Sequence, residues 1–416
     1  MNLPKLVHIK QRFIQNKIQN LELHIKEELK QNLPPLPKDY SIAITVGSRG
    51  ISNRILIVKT VVHYLKEMGC KPFIIGAMGS HGGGTAEGQM DVLNSLGYFE
   101  EVIGCPIVTS DEVVEVGKTK NGFTIYCDRY AWEANGIIVM NRVKLHTAFR
   151  GLNESGLLKM ITVGLGKTKG ANQLHRQGPA NMSETLREVG GAFLQTGKVV
   201  AGIAIVENSF DETAHLEVIR PDEIIKKEQE LLKIANSYFP RIPIENLDVL
   251  VIKTMGKNYS GTGMDTNVIG RKKIFGTPEP EKPSYQRIVV LDLDDASHGN
   301  ATGIGLADIT TDRLYQKIDK QKTYLNCLTS TYVQRGMIPL VMPTDKEAIE
   351  AAIQSLGMNH PESIRMAVIE NTLELEHLYI SENLVNEIKG KADIQSSPIE
   401  IPFSEDGTLN LSISVH

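Results

Sequence analysis

Short apolar runs, each closed by Gly, Pro or Asp, recur along the chain: SIAITVG, KPFIIGAMG, GIIVMNRV, VVAGIAIVE, LDVLVIKT, RIVVLDLDD, IPLVMP and IRMAVIEN. Their near-continuous Val and Ile content is that of strands buried on both faces, as in parallel sheets. Helical periodicity lies between several of them. SNRILIVKTVVHYLKEMG predicts a helix that opens on Ser52 as N-cap and stops at Gly69. TDKEAIEAAIQSLG predicts another, opening on Thr344 with Glu347 at capping-box spacing and stopping at Gly357. Near the N-terminus, IKQRFIQNKIQNLELHIKEELKQ mixes both charge signs at helical spacing and predicts a solvated helix face. Strand, helix and strand in this order predict an α/β architecture with mainly parallel sheets and crossover connections.

At 416 residues the chain is longer than one hydrophobic core usually serves, so two α/β domains are expected. Pro240 and Pro243 in YFPRIPIENLDVL interrupt a long charged helix before a fresh apolar strand begins. Residues 1–246 are therefore expected to form an N-terminal cofactor-binding domain, and residues 247–396 a C-terminal domain that closes over it. IQSSPIE reads as a linker that returns the segment 397–416 to the first domain. The active site is expected in the cleft between the two.

Composition narrows the class. An apolar fraction of 41% with 23% charged residues is that of an ordinary globular protein. A net charge of -4 leaves no electrostatic footprint for nucleic acid or an anionic membrane. No apolar run approaches the roughly 18 residues that a spanning helix needs, and MNLPKLVHIKQRF has no continuous apolar signal core. Cys70, Cys105, Cys127 and Cys327 are scattered without metal-binding spacing and fit small buried hydrophobes in a reducing compartment. A soluble cytoplasmic protein is expected.

Two familiar phosphate motifs fail on inspection. ITVGLGKTKG contains GKT, but a phosphate loop of the GxxxxGKT type requires Gly where Ile161 stands. LDLDD has the strand-end acids of an aspartyl phosphatase, but Ala296 stands four residues after Asp292, where a hydroxyl is needed. A third stretch, MGSHGGGTAEGQ from Met78 to Gln89, follows a strand and precedes a helix starting near Thr85. Glycine-rich backbone feeding a helix N-terminus is a general anion site. A flexible turn and a phosphate or carboxylate site are both open there.

Three histidines stand at places where an open α/β sheet holds ligands. His81 lies in the glycine loop, His146 directly follows the strand GIIVMNRVK, and His175 sits in GANQLHRQG. Lys159, in SGLLKMITVGLG, is a lysine inside an apolar run. Burial disfavours its ammonium and frees an amine for attack on a carbonyl or thiocarbonyl carbon. Snorkelling from a sheet edge would explain the same lysine without chemistry.

The order His81, His146, Lys159, His175, with the glycine loop first, resembles the nickel-dependent lactate racemase family, the nickel-pincer-nucleotide isomerases. Gly79, Thr85 and Glu87 match that family's loop, Arg49 in TVGSRG its early arginine, and the sixteen residues from Lys159 to His175 its spacing. The resemblance implies Lys159 as the lysine that tethers a pyridinium-3,5-dithio mononucleotide, and His175 as the nickel ligand. It implies His81 and His146 as two acid/base histidines on opposite sides of the substrate. The loop residues Gly79, Gly82, Gly83, Gly84 and Thr85 would hold the cofactor, its phosphate resting on backbone amides. Arg49 would grip a substrate carboxylate. In the second domain, Asp265, Asn267 and Lys273 of GMDTNVIGRKK fall near the family's substrate-contacting lysine. His298 and Asn300 of ASHGNATGIGLAD are further substrate candidates, in a stretch that also reads as a structural turn.

The departures are specific. Val46 stands where lactate racemases carry an acid, Leu157 and Leu158 replace a Gly-Arg pattern before the tethering lysine, and Ile269 and Gly270 replace a tyrosine and a glutamine. A rebuilt substrate pocket is expected. The function implied is racemisation or epimerisation at C2 of a 2-hydroxy acid, a sugar acid among the candidates, by hydride transfer to the tethered cofactor. Separate cofactor-biosynthesis enzymes would be partners. A metal-free Schiff-base enzyme on Lys159, and a non-catalytic binder of an anionic metabolite or nickel, are the alternatives.

Overall fold

A computed structural model of the chain describes residues 3–357 and 360–413. It forms two compact units, Ile14–Phe239 and the pair of segments Met1–Phe13 and Pro240–His416. Strand β1 (Leu6–Gln11) opens the chain in the second unit. The first unit then begins with α1 (Leu21–Asn32), where the Asn20 side chain accepts the amide of Leu23 as a cap.

The first unit is built on β2 (Ser41–Val46), β3 (Lys71–Gly76) and β4 (Ile107–Val108), a separate antiparallel hairpin of β5 (Val113–Lys118) and β6 (Thr124–Asp128), and then β7 (Gly136–Arg142), β8 (Val199–Glu207) and β9 (Thr213–Ile219). Its six-stranded sheet runs β4-β3-β2-β7-β8-β9, parallel except for β9. Successive residues of β2 feed opposite cores. Ile42, Ile44 and Val46 pack with α2 (Arg54–Glu67) on one face, and Ala43 packs with Leu157, Leu158 and Phe193 on the other. Burial on both faces is why the run has no polar alternation. The helix Ile224–Tyr238 covers the second face, burying Ile224, Leu231 and Leu232.

The second unit holds β10 (Asn246–Met255), β11 (Ser284–Leu293), β12 (Ile309–Thr311), β13 (Leu340–Met342), β14 (Met366–Ile369), β15 (His377–Ser381) and β16 (Ala392–Ile394). Its sheet runs β13-β12-β11-β10-β14-β15-β1-β16. The β13 to β14 stretch is parallel, and β15, β1 and β16 pair antiparallel. The helix Asp345–Gln354 opens as expected, with Thr344 Oγ1 accepting the Glu347 amide.

The structure differs from three expectations. The charged N-terminal stretch is not one helix, because residues 6–11 form β1 and regular helix starts only at Leu21. Leu6, Val7 and Ile9 are buried there, and pairing with β15 and β16 overrides the local charge pattern. Asn53, in the left-handed region at φ 56°, replaces Ser52 as the residue before α2, while the Ser52 amide donates to Glu207. The C-terminal segment does not return to the first unit. Leu6 and Ile399 exchange backbone hydrogen bonds, and Ile401, Leu409, Leu411 and Ile413 join the core of Val249, Val251 and Val368. The last three residues of that segment, 414–416, lie outside the described ones.

Candidate active site

Three neighbouring parallel strands each deliver one residue beyond their C-terminal ends. Arg49 stands three positions after β2, His81 five after β3 and His146 four after β7. Such ends are where open α/β sheets bind ligands. Ser48 links the first two loops, its Oγ lying 2.9 Å from His81 Nδ1. His146 is held by the buried Glu154, whose Oε2 accepts its amide at 2.7 Å, and by the Ala148 amide, which donates to its Nδ1 at 3.1 Å. Its ring lies 4.2 Å from that of Phe149.

The glycine loop is a tight turn packed on its own helix. Gly79, Gly82, Gly83 and Gly84 all take positive φ, between 63° and 72°. A Cβ on Gly82 would stand 2.5 Å from the carbonyl carbon of Gly88, and one on Gly79 2.9 Å from Val163, whereas one on Gly83 would meet nothing. Thr85 Oγ1 accepts the Gly88 amide and caps the helix α3 (Ala86–Ser95). The amides of Gly84 and Thr85, expected to cradle a phosphate, are already donated to His81 and Gly82 carbonyls. The amides of Gly79, Ser80, Gly82 and Gly83 are without such a bond among the described residues of the loop.

Lys159 ends a short helical turn, Leu157–Lys159, that continues as the π-helical stretch Met160–Leu165. It is therefore on a helix and not at a sheet edge. Wide turns of this kind cluster at functional sites. Glu228, fully buried, caps the start of this helix: its carboxylate accepts the amide of Leu158 and the side-chain amide of Asn153, both at 2.9 Å. Gly156 makes room for it, since a Cβ there would stand 2.5 Å from the carboxylate. The chain then turns sharply at Lys167, φ 50°. Gly170 packs so closely on the Thr162 carbonyl that a Cβ would be 2.3 Å from it. The helix Lys167–His175 leaves this corner.

Lys167 itself is fully buried. Its ammonium pairs with Asp128 of β6 at 2.9 Å, donates to Gln89 of α3 at 2.9 Å, and donates to the Gly76 carbonyl at the end of β3. The GKT of the sequence thus ends in a structural cross-link and not in a phosphate loop. It ties the corner between Lys159 and His175 to both ends of the glycine loop.

The electrostatics show which groups converge. Burial, then the charge of Arg49, lowers the Lys159 amine to about 8. Burial, then Lys159, lowers the His175 imidazole. Burial, then Lys159 and His175, holds His146 well below the ordinary imidazole value. Lys159, His175, His146 and Arg49 therefore share one neighbourhood with no carboxylate among the groups that perturb them. Neither Arg49 nor Lys159 has a hydrogen bond or ion pair among the described residues, and His175 Nδ1 is buried without a partner. Such a cluster can attract an anion, and it leaves one imidazole nitrogen without a protein partner among the described residues.

Residues 19–185, which contain all of these groups except Glu228, match the family model of the lactate racemase N-terminal domain. Over these residues the chain is similar to lactate racemases. A solved structure, the lactate racemase apoprotein from Thermoanaerobacterium thermosaccharolyticum, is similar at 11% identity with a TM-score of 0.51, covering 89% of this chain and 99% of that one. That likeness concerns the fold. No curated protein matches the chain in sequence.

The remaining site candidates lie in the second unit. Lys273, expected to reach substrate, donates instead to the carbonyls of Gly305 and Ala307, at 2.8 and 3.4 Å. Asn300 accepts the amide and hydroxyl of Thr302 and so shapes the turn. His298 is exposed, at φ 48°, with its backbone carbonyl taken by Lys322. Asp265 caps the short helix Thr266–Ile269 by accepting the Asn267 amide. Asp292 is paired with Arg313 and Lys317. All four cysteines are buried and unpaired, as expected. Among the described residues no helix is long and apolar enough to cross a membrane, and no three His, Cys, Asp or Glu side chains converge as a metal site.

Proposed function

We propose that the chain inverts the C2 centre of a 2-hydroxy acid, a sugar acid among the candidates, with a nickel-pincer nucleotide tethered to Lys159. The observation that carries this reading is the pairing of two unsatisfied groups. A half-buried amine lowered to about 8, with no partner among the described residues, shares its surroundings with a buried, unbonded imidazole nitrogen of His175. These are the two protein groups that such a cofactor consumes. Nickel accepts imidazole nitrogen alongside soft sulfur, so a single protein ligand suffices.

When bound, the nucleotide supplies an electrophilic carbon that takes up and returns the C2 hydride, so that the centre passes through a planar ketone and not a carbanion. Lys159, neutral for much of its population near pH 8, is the nucleophile for the tether. His175 keeps a nitrogen free for nickel. His81 and His146, from separate strand ends, face the substrate as proton-handling groups. Arg49, without an internal partner among the described residues, holds the carboxylate in a two-pronged grip. The amides of Gly82 and Gly83 are left for the nucleotide phosphate.

The test is co-expression with the cofactor-biosynthesis enzymes, followed by intact mass, metal content and C2 exchange on a panel of 2-hydroxy acids. A mass increase on Lys159 with one nickel, absent in Lys159→Met, is expected together with loss of optical rotation. A borohydride-trapped substrate adduct without nickel would replace this reading with a Schiff-base enzyme. Ligand binding without C2 exchange would replace it with a binding protein.

A further inference from the structure

The helix Lys320–Ser330 carries its large apolar side chains on the outside. Thr323 and Cys327 are its buried residues, while Tyr324, Leu325 and Leu328 stand in solvent. A surface helix of a globular protein normally does the reverse. The turn Val333–Gly336 rests against this helix: a Cβ on Gly336 would stand 3.1 Å from the Cys327 sulfur and 3.6 Å from the Tyr324 ring. That contact brings Val333 and Met337, both exposed, beside the helix. The chain then enters β13, the end strand of its sheet, which pairs with β12 alone among the described residues and carries the exposed Leu340.

These six side chains are 44% to 68% exposed. They are six of the sixteen large apolar side chains exposed among the described residues, and all lie between Tyr324 and Leu340. Single exposed hydrophobics need no explanation, but a contiguous group marks a surface that something covers. Together the six expose roughly 600 Å², most of the ~800 Å² that each partner buries in a standard interface.

Charge decides what can cover this face. From Thr323 to Thr344 the sequence holds a single charged residue, Arg335, and it is buried. A two-fold axis sets a surface against its own copy, so a net charge on the face would repel itself. A face without exposed charge meets that condition. Apolar surface with charge depleted at its centre is also the composition of homodimer interfaces, whereas passing partners meet on more polar ones. Strand β13 is three residues long and lies between Pro339 and Pro343. A short edge bounded by prolines does not propagate into an open-ended sheet.

We infer that this face joins two copies of the chain. The helix Lys320–Ser330, the turn Val333–Gly336 and β13 of one copy pack on the same elements of the other about a two-fold axis. All of these elements belong to the second unit, and the inference does not rest on the activity proposed above.

The experiment is sedimentation velocity on the full chain over a dilution series from nanomolar to tens of micromolar. A species of twice the chain's mass is expected. In the double variant Leu325→Glu with Leu328→Glu, like charges face each other across the axis, and the dissociation constant should rise at least about 100-fold. Both leucines are exposed, so the fold is expected to hold, which far-ultraviolet circular dichroism checks. Met337→Lys replaces the double variant if that does not fold. Leu23→Glu, the same change at an exposed leucine of α1, should leave the dimer intact. A wild-type monomer at every concentration, whatever else it binds, overturns the inference. So does a dimer that the charged variants leave unchanged. Mass is read without substrate or cofactor, so failure here leaves the proposed function standing, and failure of that function leaves the dimer standing.

Discussion

Glu228 accepts the amide of Leu158 at 2.9 Å, reaching across seventy residues of chain to the position just before Lys159. A carboxylate at a helix N-terminus satisfies donors that have no partner within the helix. Here it does so in full burial, with no ion pair among the described residues. Replacing Glu228 by Ala strands the Leu158 amide and the Asn153 side chain, and a loss of about 3 kcal/mol is expected in urea unfolding. Glu228→Gln keeps an acceptor oxygen and loses less.

The same carboxyl group makes a pH prediction. Burial raises its folded value above 4.5, with its hydrogen bonds opposing. A raised value means that the folded state favours the proton, so this contribution to stability is present below the unfolded value and disappears as pH rises through the folded one. Glu228→Gln lacks that titration. The stability of the wild type relative to the variant should therefore fall as pH is raised from 4.5. A difference that stays flat with pH would remove the buried carboxylate from the account.

Lys167 and Asp128 form a buried ion pair at 2.9 Å, both sides almost without solvent contact. Removing one partner leaves the other charged and buried. Lys167→Met alone should cost about 3–5 kcal/mol, and the double change with Asp128→Asn should recover much of it. A double-mutant cycle by thermal unfolding reads the coupling directly. Additive single losses would mean that the pair is not the cross-link described.

Glycine substitutions separate loop conformation from loop packing. Gly82 and Gly83 have nearly the same φ, 64° and 66°. A Cβ at Gly83 meets nothing, while one at Gly82 runs into Gly88. Gly83→Ala should cost only the left-handed backbone penalty, about 1–2 kcal/mol. Gly82→Ala should cost more and displace His81, which is visible as a changed His81 imidazole signal. Equal losses at the two positions would contradict the packing.

Much of this arrangement was legible in the chain. Ile42, Ile44 and Ala43 of β2 are apolar without alternation because both faces of the strand are covered, and that signal is local. The capping residue Thr344 and the start of α3 at Thr85 are local as well. Strand β1 was hidden because what makes it a strand is pairing with β15 and with Ile399, at the far end of the chain. Among the site residues, His81, His146, Lys159 and His175 stood out against glycine or apolar neighbours. Glu228 did not, because KKEQE looks like any solvated helix face. The only sequence trace of its burial is Gly156, the one residue small enough to admit the carboxylate. Lys167 was visible but carried the wrong association, since its GKT context resembles a phosphate loop.

Lys159 supplies the most direct test of the site. Burial comes first in lowering its amine and the Arg49 charge second, and the result is a value of about 8 against 10.5 for an ordinary lysine. At pH 8 about half of this amine is neutral, while an ordinary lysine is almost wholly charged. Trace acetylation across a pH series, read peptide by peptide in the mass spectrometer, should show Lys159 labelling with a midpoint near 8, ahead of the exposed lysines. Arg49→Gln removes a repelling cation, so the midpoint should move upward, toward the ordinary value. Stability follows the same sign. The folded state disfavours the proton on Lys159, so this contribution is complete above the unfolded value and is lost as pH falls through about 8. Lys159→Met should therefore flatten the stability profile over that window. If Lys159 labels in step with the exposed lysines, or ignores the loss of Arg49, the amine is not the poised nucleophile on which the tether depends.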